Sequence, residues 1–191
     1  MLYELLYKLL VQPKAGLSDI MERGNLLQAA GLVLAGSLLG IISNMNLSPG
    51  SSFGSCILVA GGLSGLLSWL LATAVLHVSA TLLGGKGDVR KLLLLLGFTS
   101  FVEIVLLPGY FMASLLASAA AELLVLGISF VWLLFLYLWS LQLVYGLPLA
   151  RGLLTLFLSL LSVLCLLLCW FFLLAEFCTP LFMAAWPALQ L

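Results

Sequence analysis

The chain has 191 residues, of which 64% are hydrophobic and only 7% are charged, and its formal net charge is zero. This composition excludes an ordinary soluble domain, and the lack of a net positive charge argues against a nucleic-acid partner. The residue types indicate instead a compact bundle of membrane helices.

Five hydrophobic stretches predict the membrane spans. A helix needs about 20 apolar residues to cross a hydrocarbon core of about 30 Å, and the first stretch is the shortest of the five. The stretches lie at about 26–43, 55–83, 92–112, 122–145 and 152–178. We therefore predict an all-α integral membrane protein, a five-transmembrane-helix bundle that forms one domain over residues 1–191.

The first 25 residues have the pattern of a surface segment. Leucines recur at helical spacing, at Leu2, Leu5, Leu6, Leu9 and Leu10. We expect a short amphipathic helix that lies on the inner membrane surface as an anchor, with docking of a partner as the alternative. Pro13 interrupts this helix, and Ser18 or Asp19 can cap a second short helix that runs to Arg23.

Small residues predict how the first two spans pack. Gly61 and Gly65 form a GxxxG pair in the second stretch, and Gly36 and Gly40 lie in the first. Lipid gives little hydrophobic drive between helices, so packing depends on small residues that let backbones approach closely. We expect Gly61 and Gly65 to lie against the first span near Gly36 and Gly40, with a dimer face as the alternative.

A glycine-rich basic segment, GGKG at 84–87, connects the second and third stretches. It lacks the spacing of a phosphate-binding loop. We expect a tight turn in which Gly84 or Gly85 adopts left-handed geometry and Asp88 begins the next helix. The alternative is a site for an anionic lipid headgroup or a partner. Its candidate residues are Gly84, Gly85, Lys86, Arg90 and Lys91.

The distribution of Lys and Arg predicts the orientation. Three of the seven basic residues precede the first stretch, three lie between the second and third, and Arg151 lies between the fourth and fifth. Segments 44–54, 113–121 and 179–191 carry none. Since Lys and Arg near span ends are retained in the cytoplasm, we expect a cytoplasmic N-terminus and an outer C-terminus.

Two polar residues are candidates for function inside the spans. His77 lies about 10 Å inside the second span, and Glu103 lies about 18 Å along the third, near the bilayer centre. A charge at that depth costs at least about 2.5–3.5 kcal/mol and normally faces a partner or cavity. Glu103 is expected either to hydrogen-bond across helices, for instance to Tyr137, or to line a polar path with His77. Pro108 is compatible with such a cavity.

Signatures of a reaction are missing. One His and one deep Glu do not make a catalytic constellation, and neither the His nor the four cysteines have metal-ligand spacing. We expect no enzymatic activity, no cofactor and no metal. Cys56 and Cys178 fall near the predicted outer ends of two spans, where a disulfide is geometrically feasible but is not the favoured interpretation.

Several of these features together resemble the Yip domain, the family named after Ypt/Rab-GTPase-interacting proteins. The resemblance rests on Pro13-Lys14 before a short helix, His77 followed by LLGGKG at 82–87, Pro108 in the third span, and the Tyr145-Gly146-Leu147 turn followed by Arg151. It implies a fold of five membrane helices. Eukaryotic members have a long cytosolic N-terminal region and are implicated in Rab binding and vesicle trafficking. With about 25 residues before the first span, this chain is similar to short bacterial members, so we expect the bacterial inner membrane and no Rab-type GTPase partner.

The leading hypothesis is a non-enzymatic membrane scaffold or interaction module. Its expected partners are the lipid bilayer and either another membrane protein or a second copy of the chain. The alternative is a small transporter, channel or lipid-handling protein with a polar path near His77 and Glu103. A water-accessible cavity that reaches Glu103 would favour this alternative, and a dry bundle would favour a scaffold.

Overall fold

The computed structural model of the chain describes the backbone of residues 2–44, 52–116 and 119–185. It describes the side chains of residues 2–42, 56–113, 115–116, 119–170 and 172. Helices make up nearly all of this described part. They are α1 Leu2–Val11, α2 Pro13–Arg23, α3 Leu26–Asn44, α4 Ser52–Leu82, α5 Val89–Leu115, α6 Ala119–Tyr145 and α7 Leu149–Ala185.

Four of the described helices are long and apolar enough to cross a membrane. Their candidate spans are Cys56–Leu82, Val89–Ala113, Ala119–Tyr145 and Leu149–Trp170. The first predicted span forms α3, whose apolar part Leu26–Ile42 is shorter than the other four spans. The part of the first outer segment at 45–51 and the end of the C-terminal tail at 186–191 lie outside the described residues.

Helix α5 occupies the centre of the bundle, because α3, α4, α6 and the α1–α2 hairpin all pack against it. Leu92, Leu95 and Phe98 of α5 are fully buried. Gly97 allows α3 to come close, since an added Cβ there would lie 2.6 Å from the Cβ of Ala29. Helix α7 packs against α4 and α6 on the other side.

The second short helix begins earlier than predicted. It starts at Pro13 and not at Ser18 or Asp19. Proline is well suited to the first helical position, where its missing N–H needs no partner and its fixed φ fits the helix. Gly16 allows α2 to approach α1 closely, because it has no side chain. An added Cβ there would lie 2.6 Å from the backbone nitrogen of Leu9.

The leucine face of α1 packs against protein, whereas the sequence predicted contact with the membrane surface; membrane anchoring by α1 stays a prediction. Leu5 and Leu9 are 4% and 0% exposed. They join one core cluster with Leu17 and Ile20 of α2 and with Leu95 of α5. The hairpin is therefore an integral part of the bundle. A leucine stripe alone does not distinguish a helix that lies on lipid from one that lies on protein.

The GxxxG pair of α4 packs against α3 at residues next to the expected ones. A Cβ added at Gly65 would overlap the Ser37 side chain, and one added at Gly61 would overlap the Ile41 side chain. Helices α3 and α4 therefore approach closely at both glycines, which is the packing that small residues allow in lipid.

An ion pair between Lys8 and Asp19 closes the hairpin at 2.6 Å. The hydrogen bond from the Lys8 ammonium holds the pKa of the Asp19 carboxyl below its usual range, and the same bond raises the pKa of Lys8. Since the carboxyl has a lowered pKa when folded, its contribution is present above the unfolded pKa and is lost as pH falls through the folded value.

We expect the hairpin to stay closed across neutral pH, to loosen in acid below the ordinary aspartate range, and to loosen again in alkali above the ordinary lysine range. Hydrogen exchange of the α1 amides, corrected for the intrinsic rate at each pH, measures this. Both side chains are partly exposed to solvent, so the effect is small. Asp19→Asn should remove the acid dependence. An acid transition of the same size in that variant would mean that another group is responsible.

Candidate functional site

The basic residues gather at one end of the bundle, which we call the basic end. It consists of the α1–α2 hairpin, the α4–α5 turn and the α6–α7 turn. The α4–α5 turn touches the end of α6 at Tyr145, and the Lys14 ammonium of the hairpin lies 5.3 Å from the ring centroid of Trp139 in α6. The residues concerned are Lys8, Lys14, Arg23, Lys86, Arg90, Lys91 and Arg151.

The glycine-rich segment forms the predicted tight turn. Gly84 has φ +86°, the left-handed geometry that ends α4. The amide of Gly85 donates to the carbonyl of Ala80 at 2.9 Å. Asp88 begins α5 as expected, since its carboxylate accepts a 2.9 Å hydrogen bond from the amide of Arg90. The proposed lipid or partner role of Lys86, Arg90 and Lys91 remains a prediction.

The turn packs against Tyr145, the last residue of α6. A Cβ added at Gly87 would lie 2.6 Å from the Tyr145 ring and 2.7 Å from the carbonyl oxygen of Val144. A Cβ added at Gly85 would lie 3.0 Å from the same ring. These two glycines are therefore needed because the tyrosine occupies the space that a side chain would take.

His77 completes this group, which we call the Tyr145 cluster. Its Nδ1 lies 2.6 Å from the Tyr145 hydroxyl, and the tautomer decides which group donates. The ring centroids are 5.9 Å apart. The Tyr145 side chain is 6% exposed, so the bond joins α4 to α6 inside the protein. Sequence reasoning singled out His77 but not its partner, because the two are 68 positions apart.

Glu103 lies in a different place, on an exposed part of α5 close to α3 and α6. A Cβ added at Gly36 would lie 3.6 Å from the Ser100 carbonyl oxygen and 4.0 Å from Oε2 of Glu103. Gly36 therefore faces α5 and not the GxxxG pair of α4. An added Cβ at Gly40 meets no described atom within 4 Å. Gly61 and Gly65 thus meet the first span at Ser37 and Ile41, each next to one of the predicted glycines.

Tyr137, the expected partner of Glu103, lies close enough to the carboxylate for an electrostatic interaction, and its side chain is next to Thr99. Tyr137 and Tyr145 are eight positions apart on α6, which corresponds to about 12 Å along the axis. Leu141, only 1% exposed, lies between them. The structure therefore places Glu103 and His77 at separate levels, and does not bring them together in one polar group.

The sequence did not predict two further polar contacts between helices. The Tyr110 hydroxyl donates to the Ser129 hydroxyl at 3.0 Å, which ties α5 to α6. The Trp69 indole donates to the Leu93 carbonyl at 3.2 Å, which ties α4 to α5. Tyrosine and tryptophan are common at membrane interfaces, so their sequence positions alone do not indicate these partners.

Groups that could hold a metal are absent from the described part: nowhere in it do three or more His, Cys, Asp or Glu side chains come together. Cys56 is a free, exposed thiol. The side chain of Cys178, the other half of the considered disulfide, lies outside the described residues.

Comparison with known proteins identifies the family. The sequence profile of the Yip1 domain matches residues 7–173, which include the Tyr145 cluster and all the candidate spans. Curated proteins and solved structures give no match. A match over most of the chain, together with helices of membrane-spanning length, shows that this integral membrane protein belongs to the Yip1 domain family.

Proposed function

We propose that the protein is a non-enzymatic membrane scaffold or interaction module. The observation that carries this proposal is that polar side chains within the spans form hydrogen bonds between helices. His77 bonds to Tyr145, Tyr110 to Ser129, and Trp69 to a backbone carbonyl, each across two helices. In lipid such bonds join helices to each other. Groups engaged in this way hold the bundle together and are not arranged around a substrate.

The proposal includes five membrane helices, with α3 as the first. At 19 residues, α3 is about 28 Å long, close to the thickness of the hydrocarbon core. It also runs alongside its neighbours for much of its length, since Ala29 meets Gly97 of α5 and Ile41 meets Gly61 of α4. A helix held between two spans over that distance lies at the same depth as they do.

An odd number of spans places the two ends of the chain on opposite sides. The basic end then faces the cytoplasm by the positive-inside rule. Alkaline-phosphatase and green-fluorescent-protein fusions at each terminus test this. We expect fluorescence from the N-terminal fusion and phosphatase activity from the C-terminal fusion. A fluorescent, phosphatase-inactive C-terminal fusion would contradict the five-span topology.

The transport alternative depends on Glu103, because His77 is engaged with Tyr145 at another level. Glu103 is near Gly36 and Tyr137, and the carboxylate is the one acidic group well inside the described candidate spans. A scaffold does not need its negative charge. A proton- or cation-linked carrier would need a carboxylate there, since an amide can neither release a proton nor neutralise a cation.

We therefore expect Glu103→Gln to be nearly silent. The purified parent protein is placed in vesicles that are loaded with a pH-sensitive dye and given a pH gradient. We expect these vesicles to leak protons at the same rate as protein-free vesicles. Vesicles with the variant should leak at that rate too. Glu122→Gln, at the start of α6, is the matched control. A leak in the parent that disappears in Glu103→Gln and persists in Glu122→Gln would overturn the scaffold proposal.

A further inference from the structure

An apolar groove runs along the outer surface of α6. It has a cavity volume of about 550 Å³, and its walls present only apolar atoms. The lining residues are Gly127, Ile128, Val131, Trp132, Phe135 and Trp139. They recur at helical spacing, so they form one continuous face of α6.

The length of the groove is close to the thickness of one leaflet of a bilayer. Gly127 and Trp139 are twelve positions apart, which is about 18 Å of helix, and one leaflet contributes about half of a 30 Å core. Trp139 is six residues from Tyr145 at the basic end, or about 9 Å. The groove therefore begins about 9 Å from the end of α6 at the basic end and continues for about 18 Å toward the opposite end of the helix.

Gly127 leaves the deep end of the groove open. An added Cβ there would meet no described atom within 4 Å. Farther along, Val131 and Phe135 are 50% and 46% exposed, while the ring of Trp132 packs against the protein core. A flexible hydrocarbon chain fits a depression that has an open end and uneven walls.

Lys14 provides a positive charge at the shallow end. Its ammonium lies 5.3 Å from the ring centroid of Trp139, the last residue of the groove. Within the described part of the chain, the one ion pair is that between Lys8 and Asp19, so no carboxylate there neutralises Lys14. The ammonium thus places a positive charge at the end of the groove that is nearer the basic end.

We propose that this groove binds an anionic phospholipid of the leaflet at the basic end. One acyl chain lies along α6 from Trp139 to Gly127, and the lipid phosphate accepts hydrogen bonds from the Lys14 ammonium. The inference requires that the chain spans a membrane, and it is independent of the scaffold role. A hydrophobic helix of a second copy would fill the groove but would leave the Lys14 charge without a partner.

The test uses delipidated protein in detergent, titrated with palmitoyl-oleoyl phosphatidylglycerol and followed by native mass spectrometry. Gly127→Leu places a bulky side chain in the groove, and Gly31→Leu is its matched control, because a Cβ at Gly31 of α3 also meets no described atom within 4 Å. We expect one tightly bound lipid on the parent and on Gly31→Leu, and its loss from Gly127→Leu.

Lys14→Gln tests the headgroup contact. Loss of one such charge should weaken phosphatidylglycerol binding about fivefold, and should change binding of palmitoyl-oleoyl phosphatidylcholine less. If Gly127→Leu lowers the unfolding temperature, Val131→Trp blocks the same groove from an exposed position. Equal lipid retention in blocked and control variants would overturn the proposal. A change from dimer to monomer in the blocked variants, with lipid binding unchanged, would assign the groove to a second copy and overturn it as well.

Discussion

Gly65→Leu is expected to destabilise the protein by about 3 kcal/mol, or to prevent it from folding. Even a Cβ at this position would overlap the Ser37 side chain, and Ser37 is held by its own 2.8 Å hydrogen bond to the Val33 carbonyl. A leucine must therefore push α3 away from α4. Contacts along the whole α3–α4 interface weaken when the backbones separate. Thermal unfolding of the purified protein in detergent measures the loss.

Gly31→Leu is the matched control for this experiment. Both positions are glycines within apolar helices, and both receive the same side chain, but Gly31 has no described atom near its added Cβ. We expect the control to unfold like the parent. If Gly65→Leu and Gly31→Leu unfold at the same temperature, the GxxxG face contacts lipid and the α3–α4 packing described above is wrong.

The positions and lengths of the hydrophobic stretches were enough to predict most of the helices. Each predicted stretch forms one helix, and Gly84 and Asp88 end and begin helices where their conformational preferences placed them. Such local signals are strong because a backbone in lipid has few ways to satisfy its hydrogen bonds. The number of full spans does not follow from hydrophobicity alone, since α3 is as apolar as the other four predicted spans but shorter than each of them.

The partners of individual side chains could not be predicted from the sequence in the same way. Helical spacing tells which residues share a face, but in a membrane the same leucine, tryptophan or tyrosine can cover lipid or protein. Trp132 and Trp139 line the outer groove of α6, yet both also pack against the core cluster. Gly36 and Gly40 are four positions apart and so lie on one side of α3, but Gly36 faces α5. Which neighbouring helix a face contacts depends on how each helix is rotated about its own axis. A single sequence does not determine that rotation.

Gly87→Ala is the second substitution with a large expected effect. A methyl group there would lie 2.6 Å from the Tyr145 ring and 2.7 Å from the Val144 carbonyl oxygen. The carbonyl is backbone and the ring is held by His77, so neither can move without cost. We expect a loss of about 1–3 kcal/mol, measured by thermal unfolding. Tyr145→Phe, which removes only the hydroxyl, should cost about 1 kcal/mol, as hydrogen bonds between membrane helices do.

Lys86→Ala separates the two interpretations of this turn, because Lys86 lies between the two packed glycines and is itself exposed. If the segment serves to pack α4 and α5 on Tyr145, Lys86→Ala should unfold like the parent while Gly87→Ala does not. If the segment instead binds an anionic headgroup, added phosphatidylglycerol should stabilise the parent more than Lys86→Ala. Equal stability of Gly87→Ala and the parent would contradict the packing role. The conformation of the turn would then serve the basic side chains, and the lipid interpretation would take its place.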